Sequence, residues 1–222
     1  MKKLFVLLAV TAIALAGFSS IAGATIVFQL GQGNAALSGY PTPFGSAAVT
    51  RTSSTTATIV FTANNTGGFQ YLFGDGGSVA VNVNASSWTL GLISGSNAGT
   101  GFTPGPYSDA GAGNEDGFGV FNQTIDSFDG FTHSSDTISF SLTNTSGTWA
   151  GDSDVLAGNS QGFHVAAHIF VTSSPANAAN GAVVTGFATE GGGNNTVPEP
   201  TSMLLLGLGL AGFGAARRRR KS

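Results

Sequence analysis

Short runs of β-branched and aromatic residues stand out from a background of Gly, Ser, Thr and Asn at positions 25–30, 56–62, 78–84, 88–93, 118–125, 137–142, 163–171 and 183–188. Within several of them apolar and polar side chains alternate. Ile138, Phe140 and Leu142 fall on one side of an extended chain, and Ser139 and Ser141 on the other, which is the period-two pattern of a strand with one buried face. Turn-forming clusters separate the runs, among them Asn65-Thr66-Gly67-Gly68, Gly74-Asp75-Gly76-Gly77, Ser146-Gly147 and Ala179-Asn180-Gly181. Lys, Glu, Gln and Arg are scarce between residues 25 and 196, so helix is disfavoured through this stretch. The spacing predicts an all-β domain, a two-sheet, jelly-roll-like β-sandwich. The chain's 17 phenylalanines argue against general disorder, because disordered segments are poor in large aromatics. Residues 95–117, where loop formers dominate, are expected to be irregular.

Both ends depart from this pattern. Lys2 and Lys3 precede 13 predominantly apolar residues, 4–16, and the small residues Ala22-Gly23-Ala24 follow. This is the layout of a secretory signal peptide over residues 1–24, with Ala22 and Ala24 recognised by signal peptidase and Thr25 left as the first mature residue. A spanning helix needs about 20 apolar residues, so the run is too short to be a membrane anchor. At the other end Val197-Pro198-Glu199-Pro200 leads into the uncharged run 201–216 and then Arg217, Arg218, Arg219, Arg220 and Lys221. The prolines hold the chain extended, as a processing enzyme requires. The uncharged run makes roughly 24 Å of helix, and the cation cluster is expected to stop transfer and stay in the cytoplasm.

This three-part tail, residues 197–222, resembles the PEP-CTERM sorting signal. The resemblance implies recognition by exosortase, a membrane protease-transpeptidase, with cutting near Pro198 to Pro200. It also implies export through the inner membrane, transient anchoring by the C-terminal helix, and delivery to the cell surface or beyond in a bacterium that makes exopolysaccharide or biofilm. Residues 128–171 are loosely similar to other passengers of this kind, and that similarity implies no active-site residue. The organisation expected is therefore a signal peptide (1–24), a β-sandwich passenger (25–196) and a sorting signal (197–222).

With both ends set aside, the charge changes character. The passenger holds one basic residue, Arg51, against ten acids, a net charge of −9, whereas the whole chain carries −3. Nucleic-acid binding depends on clustered Lys and Arg and is excluded. There is no cysteine, so stability must come from the core or from bound ions.

Several motifs invite a chemical reading. Gly158-Asn159-Ser160-Gln161-Gly162 fits G-x-S-x-G, but a strand follows it where a nucleophile elbow needs a helix, and the acids after Ser160, Glu190 and Glu199, have no histidine after them as the Ser, acid, His order of that family requires. Gly207-Leu208-Gly209-Leu210-Ala211-Gly212 fits G-x-G-x-x-G but lies in the tail, where small residues serve helix contacts. His164 and His168 could share a metal on a helix; four residues along a strand span about 13 Å, too far for one ion, although both would point to one face. His133 reads as a loop residue. The acids of Asn114-Glu115-Asp116, Asp126, Asp129, Asp136, Asp152 and Asp154 lie in or beside turns. There they either cap turns or surround Ca²⁺; the calcium candidates are Asp126, Asp129, Asp152 and Asp154. The same pairs could serve as glycosidase carboxyls at a suitable separation. Asn64, Asn84, Asn122, Asn144 and Asn194 begin N-x-S/T sequons.

No complete catalytic set emerges, and no cofactor is required beyond a possible calcium ion. The leading expectation is a non-enzymatic structural protein of the extracellular matrix, handled by signal peptidase and exosortase and associated with exopolysaccharide. One alternative is a carbohydrate-binding module stacking sugars on Trp88, Trp149, Tyr40, Tyr71 or Tyr107; another is a secreted hydrolase.

Overall fold

The computed structural model describes residues 25–127 and 130–191. Their strands are β1 (Ile26–Gln29), β2 (Gln32–Gly33), β3 (Gly45–Arg51), β4 (Thr56–Ala63), β5 (Asn65–Thr66), β6 (Phe69–Phe73), β7 (Val79–Val81), β8 (Trp88–Leu90), β9 (Ser94–Ser96), β10 (Tyr107–Glu115), β11 (Gly119–Ser127), β12 (Thr137–Asn144), β13 (Val165–Ser173) and β14 (Val184–Thr189). Helix among the described residues is limited to 3₁₀ turns of three residues. A six-stranded sheet has the order β1-β3-β4-β12-β8, with β9 also on β12. An eight-stranded sheet has the order β10-β11-β7-β13-β14-β2, with β6 on β13 and β5 on β6. The domain is all-β, as the spacing of the runs predicts, and its two sheets are antiparallel.

The six-stranded sheet behaves as its alternation requires. In β12 Ile138, Phe140 and Leu142 are buried while the intervening serines are not. They meet Tyr71 and Phe73 of β6, Val79 and Val81 of β7, and Val165, Ala167, Ile169 and Val171 of β13 in one cluster between the sheets. Phe61 joins the layers, edge-on to Phe73 at 6.0 Å and stacked near Phe140 at 6.4 Å. Each such ring contributes about 1.5–3 kcal/mol on burial.

The eight-stranded sheet is covered on its second face as well. Ala80, Phe118, Phe121 and Ala166 form one outer cluster, and Leu72, Phe170 and Ala176 another. Burial on both faces is why β13 reads as a nearly unbroken apolar run.

Each sheet contains an interrupted strand. β8 and β9 pair with successive stretches of β12, at Leu142↔Leu90 and Ser139↔Ser94, so Gly91, Leu92 and Ile93 stand opposite Phe140 and Ser141. β6 and β7 pair with successive stretches of β13, at Ile169↔Phe73 and Ala167↔Val79, so the five residues 74–78 stand opposite His168 alone. The His168 main chain pins this longer excursion: Gly74 N–H donates to its carbonyl at 3.4 Å, and its N–H donates to Gly77 O at 3.1 Å.

Two sequence expectations are corrected. Residues 95–117, expected to be irregular, supply the end of β9 and the nine-residue β10. β10 is an edge strand of small and polar residues, exposed along most of its length, so no apolar period marked it. The run 88–93 ends as a strand at Leu90, where the excursion begins. The signal peptide and the C-terminal helix lie outside the described residues. Among the described residues no helix is long and apolar enough to cross a membrane.

Candidate functional site

The excursion 74–78 builds one wall of a cleft of about 240 Å³ lined by Gly76 and Gly77, by Ala110, Ala112, Gly113, Asn114 and Glu115 of β10, and by Thr124 and Asp126 of β11. Its turn is held from every side. Asp75, at φ 59°, adopts a left-handed conformation that Asp tolerates better than most residues. Its carbonyl accepts from Ser78 Oγ at 2.6 Å and from Ser127 N–H at 3.2 Å, and its carboxylate accepts from Gly130 N–H at 2.7 Å. Gly77, at φ 63°, donates its N–H to Asp126 Oδ1 at 2.7 Å. A Cβ on Gly77 would run into Glu115 Oε1 and lie 2.8 Å from Oε2, so glycine is what lets the backbone lie against this carboxyl group.

Glu115 is the chemical anomaly of the domain. It is 1% exposed, and its Oε2 finds no hydrogen-bond donor among the described residues. Burial, with the Asp126 carboxylate as a second cause, pushes its carboxyl up to about 8. Among the described residues no arginine or lysine answers this pair. Arg51, the passenger's single basic side chain, donates from Nη1 to Trp149 O at 2.8 Å at the end of β3.

The calcium candidates part company here. Asp126 lines the cleft, whereas Asp129 lies outside the described residues. Asp152 Oδ1 accepts from the Arg51 N–H and so ties its 3₁₀ turn to β3, whereas Asp154 Oδ2 accepts from Gly151 N–H at 2.8 Å and caps that turn. Glu115, grouped with turn acids in the sequence, reaches Gly77 across 38 positions, and no local signal announces that contact.

The histidines do not share a face. His164 stacks on Phe28 of the inter-sheet core at 5.1 Å, and its Nδ1 lies 2.9 Å from Glu190 Oε1. His168 lies in the outer layer, stacked on Phe187 at 4.4 Å and Phe170 at 5.4 Å. His133 sits in a 3₁₀ turn, with Nδ1 2.7 Å from Gly105 O. Ser160 lies in a turn closed by Asn159, whose Oδ1 accepts from Gln161 N–H at 2.9 Å and Phe163 N–H at 3.1 Å.

Trp149 and Tyr71 are buried, with Trp149 Nε1 donating to Asn84 O at 2.8 Å and Tyr71 Oη to Pro41 O at 2.6 Å. Trp88 packs against the core and donates to Gln123 Oε1 at 2.9 Å, Tyr40 is edge-on to Phe69, and Tyr107 Oη lies 2.6 Å from Ser135 Oγ. These rings serve packing and local hydrogen bonds. The sequon residue Asn122 extends a ladder: its amide accepts from Val83 N–H at 2.7 Å and donates to Val83 O at 2.9 Å. Asn194 lies outside the described residues.

Fold and cleft together define an acidic all-β domain of two antiparallel sheets. Residues 196–220 match the family model of the PEP-CTERM protein-sorting motif, so the chain carries the signal of an exosortase-processed, exported protein. The motif implies a membrane-anchored stage of sorting. Val197, Pro198, Glu199, Pro200, Arg217, Arg218, Arg219, Arg220 and Lys221 lie outside the described residues, as do Ala22 and Ala24. No curated protein and no solved structure matches the chain.

Proposed function

We propose that the mature protein is a non-enzymatic structural component of the extracellular matrix, retained with exopolysaccharide or biofilm after exosortase removes its tail. The sorting motif at residues 196–220 carries this reading. The signal-peptide layout of residues 1–24 supports it, since it would deliver the passenger across the inner membrane before the tail is processed. The passenger's charge of −9 suits a soluble, hydrated matrix component. Its large aromatics are engaged in packing, which favours a scaffold over a sugar-stacking module.

Intact mass of the protein from cell surface and medium, compared between exosortase-positive and exosortase-deleted cells, tests the processing step. The expected mature form runs from Thr25 to the Pro198–Pro200 region in positive cells only. A tail persisting through Ser222 in both strains would overturn it. Co-fractionation of the processed form with matrix polysaccharide tests the retention step, and recovery entirely in the polysaccharide-free medium would count against that role.

A further inference from the structure

We infer that Glu115 and Asp126 form a divalent-cation site of the calcium type, in the cleft beside Gly76 and Gly77. The inference stands apart from the sorting reading. It begins with Glu115, a carboxyl group 1% exposed that lines the cleft and whose Oε2 lacks any donor among the described residues. An ionised carboxylate removed from water without a partner costs several kcal/mol, and a second carboxylate close by increases that cost. Proteins ordinarily answer such a pair with Arg or Lys. Among the described residues the one candidate, Arg51, is committed to Trp149 O.

The remaining surroundings suit a hard cation. Asp126 Oδ1 is taken by Gly77 N–H, which leaves Oδ2 for an ion. The other lining residues are Gly, Ala, Asn and Thr, small enough to leave main-chain carbonyl oxygen within reach, and they offer neither sulfur nor imidazole. Oxygen donors alone select Ca²⁺ or Mg²⁺ over zinc or copper. No group of three His, Cys, Asp or Glu converges among the described residues, so the shell would comprise two carboxylates completed by neutral oxygen and water. The cleft holds about 240 Å³, room for several waters at about 30 Å³ each. Such a mixed, irregular shell suits Ca²⁺; Mg²⁺ demands near-ideal octahedral geometry.

The test uses protein purified from its host, stripped with EDTA, titrated calorimetrically with CaCl₂ and melted with and without the ion. One Ca²⁺ per chain is expected, with Kd near the 10⁻⁴–10⁻³ M typical of extracellular modules, a higher Tm when loaded, and a weaker response to Mg²⁺. Glu115→Gln and Asp126→Asn should each weaken binding at least tenfold, while Asp152→Asn leaves it unchanged. Glu115→Gln replaces the buried carboxyl group with an uncharged one of the same shape, so it should melt no lower than wild type in EDTA. Should it fail to fold, Asp126→Asn decides. Absence of binding up to about 10 mM Ca²⁺, far above that range, overturns the inference. So do binding by both variants at wild-type affinity and an equal Tm response to Na⁺ at matched ionic strength.

Discussion

Both sheets interrupt a strand, yet the two interruptions lead to different places. Along β12 the excursion of Gly91, Leu92 and Ile93 leaves from the sheet edge into solvent, and Leu92 is 87% exposed. Along β13 the excursion 74–78 leaves from inside the sheet, with β11 on its far side. Its polar backbone must therefore find partners locally. It finds Asp126, Ser127, Gly130 and the His168 main chain, and in doing so lies against a buried glutamate. An irregular segment at an edge leaves little behind, whereas the same irregularity inside a sheet assembles a polar site.

Substitutions that separate the two excursions test this contrast. The largest effect is expected for Phe73→Ala, which empties a fully buried position where β6 ends and the inner excursion begins; chemical denaturation should register a loss of about 3–5 kcal/mol. Gly77→Ala comes next, at about 2–3 kcal/mol, because it combines a positive φ with a Cβ driven into Glu115. The matching edge change, Gly91→Ala, meets the hydroxyl of Ser141, the end of a side chain that can rotate away, and should cost under about 1 kcal/mol. Equal losses at the two glycines would break the comparison.

A subtler difference concerns pH. Burial holds the His168 imidazole below its ordinary 6.5, against upward pulls from Asp75 and the Gly76 main chain. In the folded protein the imidazole stays neutral where in the unfolded chain it takes up a proton, so this stability is fully present above pH 6.5 and is lost as pH falls toward the depressed folded value. Stability measured against pH should therefore have a shallower acid arm in His168→Phe, which keeps the stacking on Phe187. The smallest effect is expected at the outer edge. Leu92→Ser should stay within about 0.5 kcal/mol of wild type.

All eight apolar runs picked out by pattern contain strands, because burial on one or both faces leaves an apolar signature. β3, with Ala47 and Val49 buried between the small residues Ser46, Ala48 and Thr50, has the right period of burial but too little bulk to stand out. β10 has neither, since its neighbours demand almost nothing of its side chains. The site was half legible. Asp126 is a candidate from its place beside a turn, and Gly74-Asp75-Gly76-Gly77 reads as a turn. Nothing local foretold that this turn would meet Glu115, because the meeting depends on how far β11 carries the β10–β11 hairpin along β7. Asp152 and Asp154 have the same local credentials as Asp126, and each likewise accepts a main-chain N–H, but neither lines the cleft beside Glu115.

The confinement of positive charge to Arg51 has a consequence for survival outside the cell. A trypsin-like protease cuts only after Lys or Arg, so residues 25–196 offer it a single bond, the one between Arg51 and Thr52. That bond closes β3 with its arginine fastened to Trp149 O, and Thr52 N–H is tied to Thr56 O at 2.9 Å. A folded domain built this way gives basic-specific proteases almost nothing to digest, and its lifetime among secreted enzymes would be set by those of other specificity.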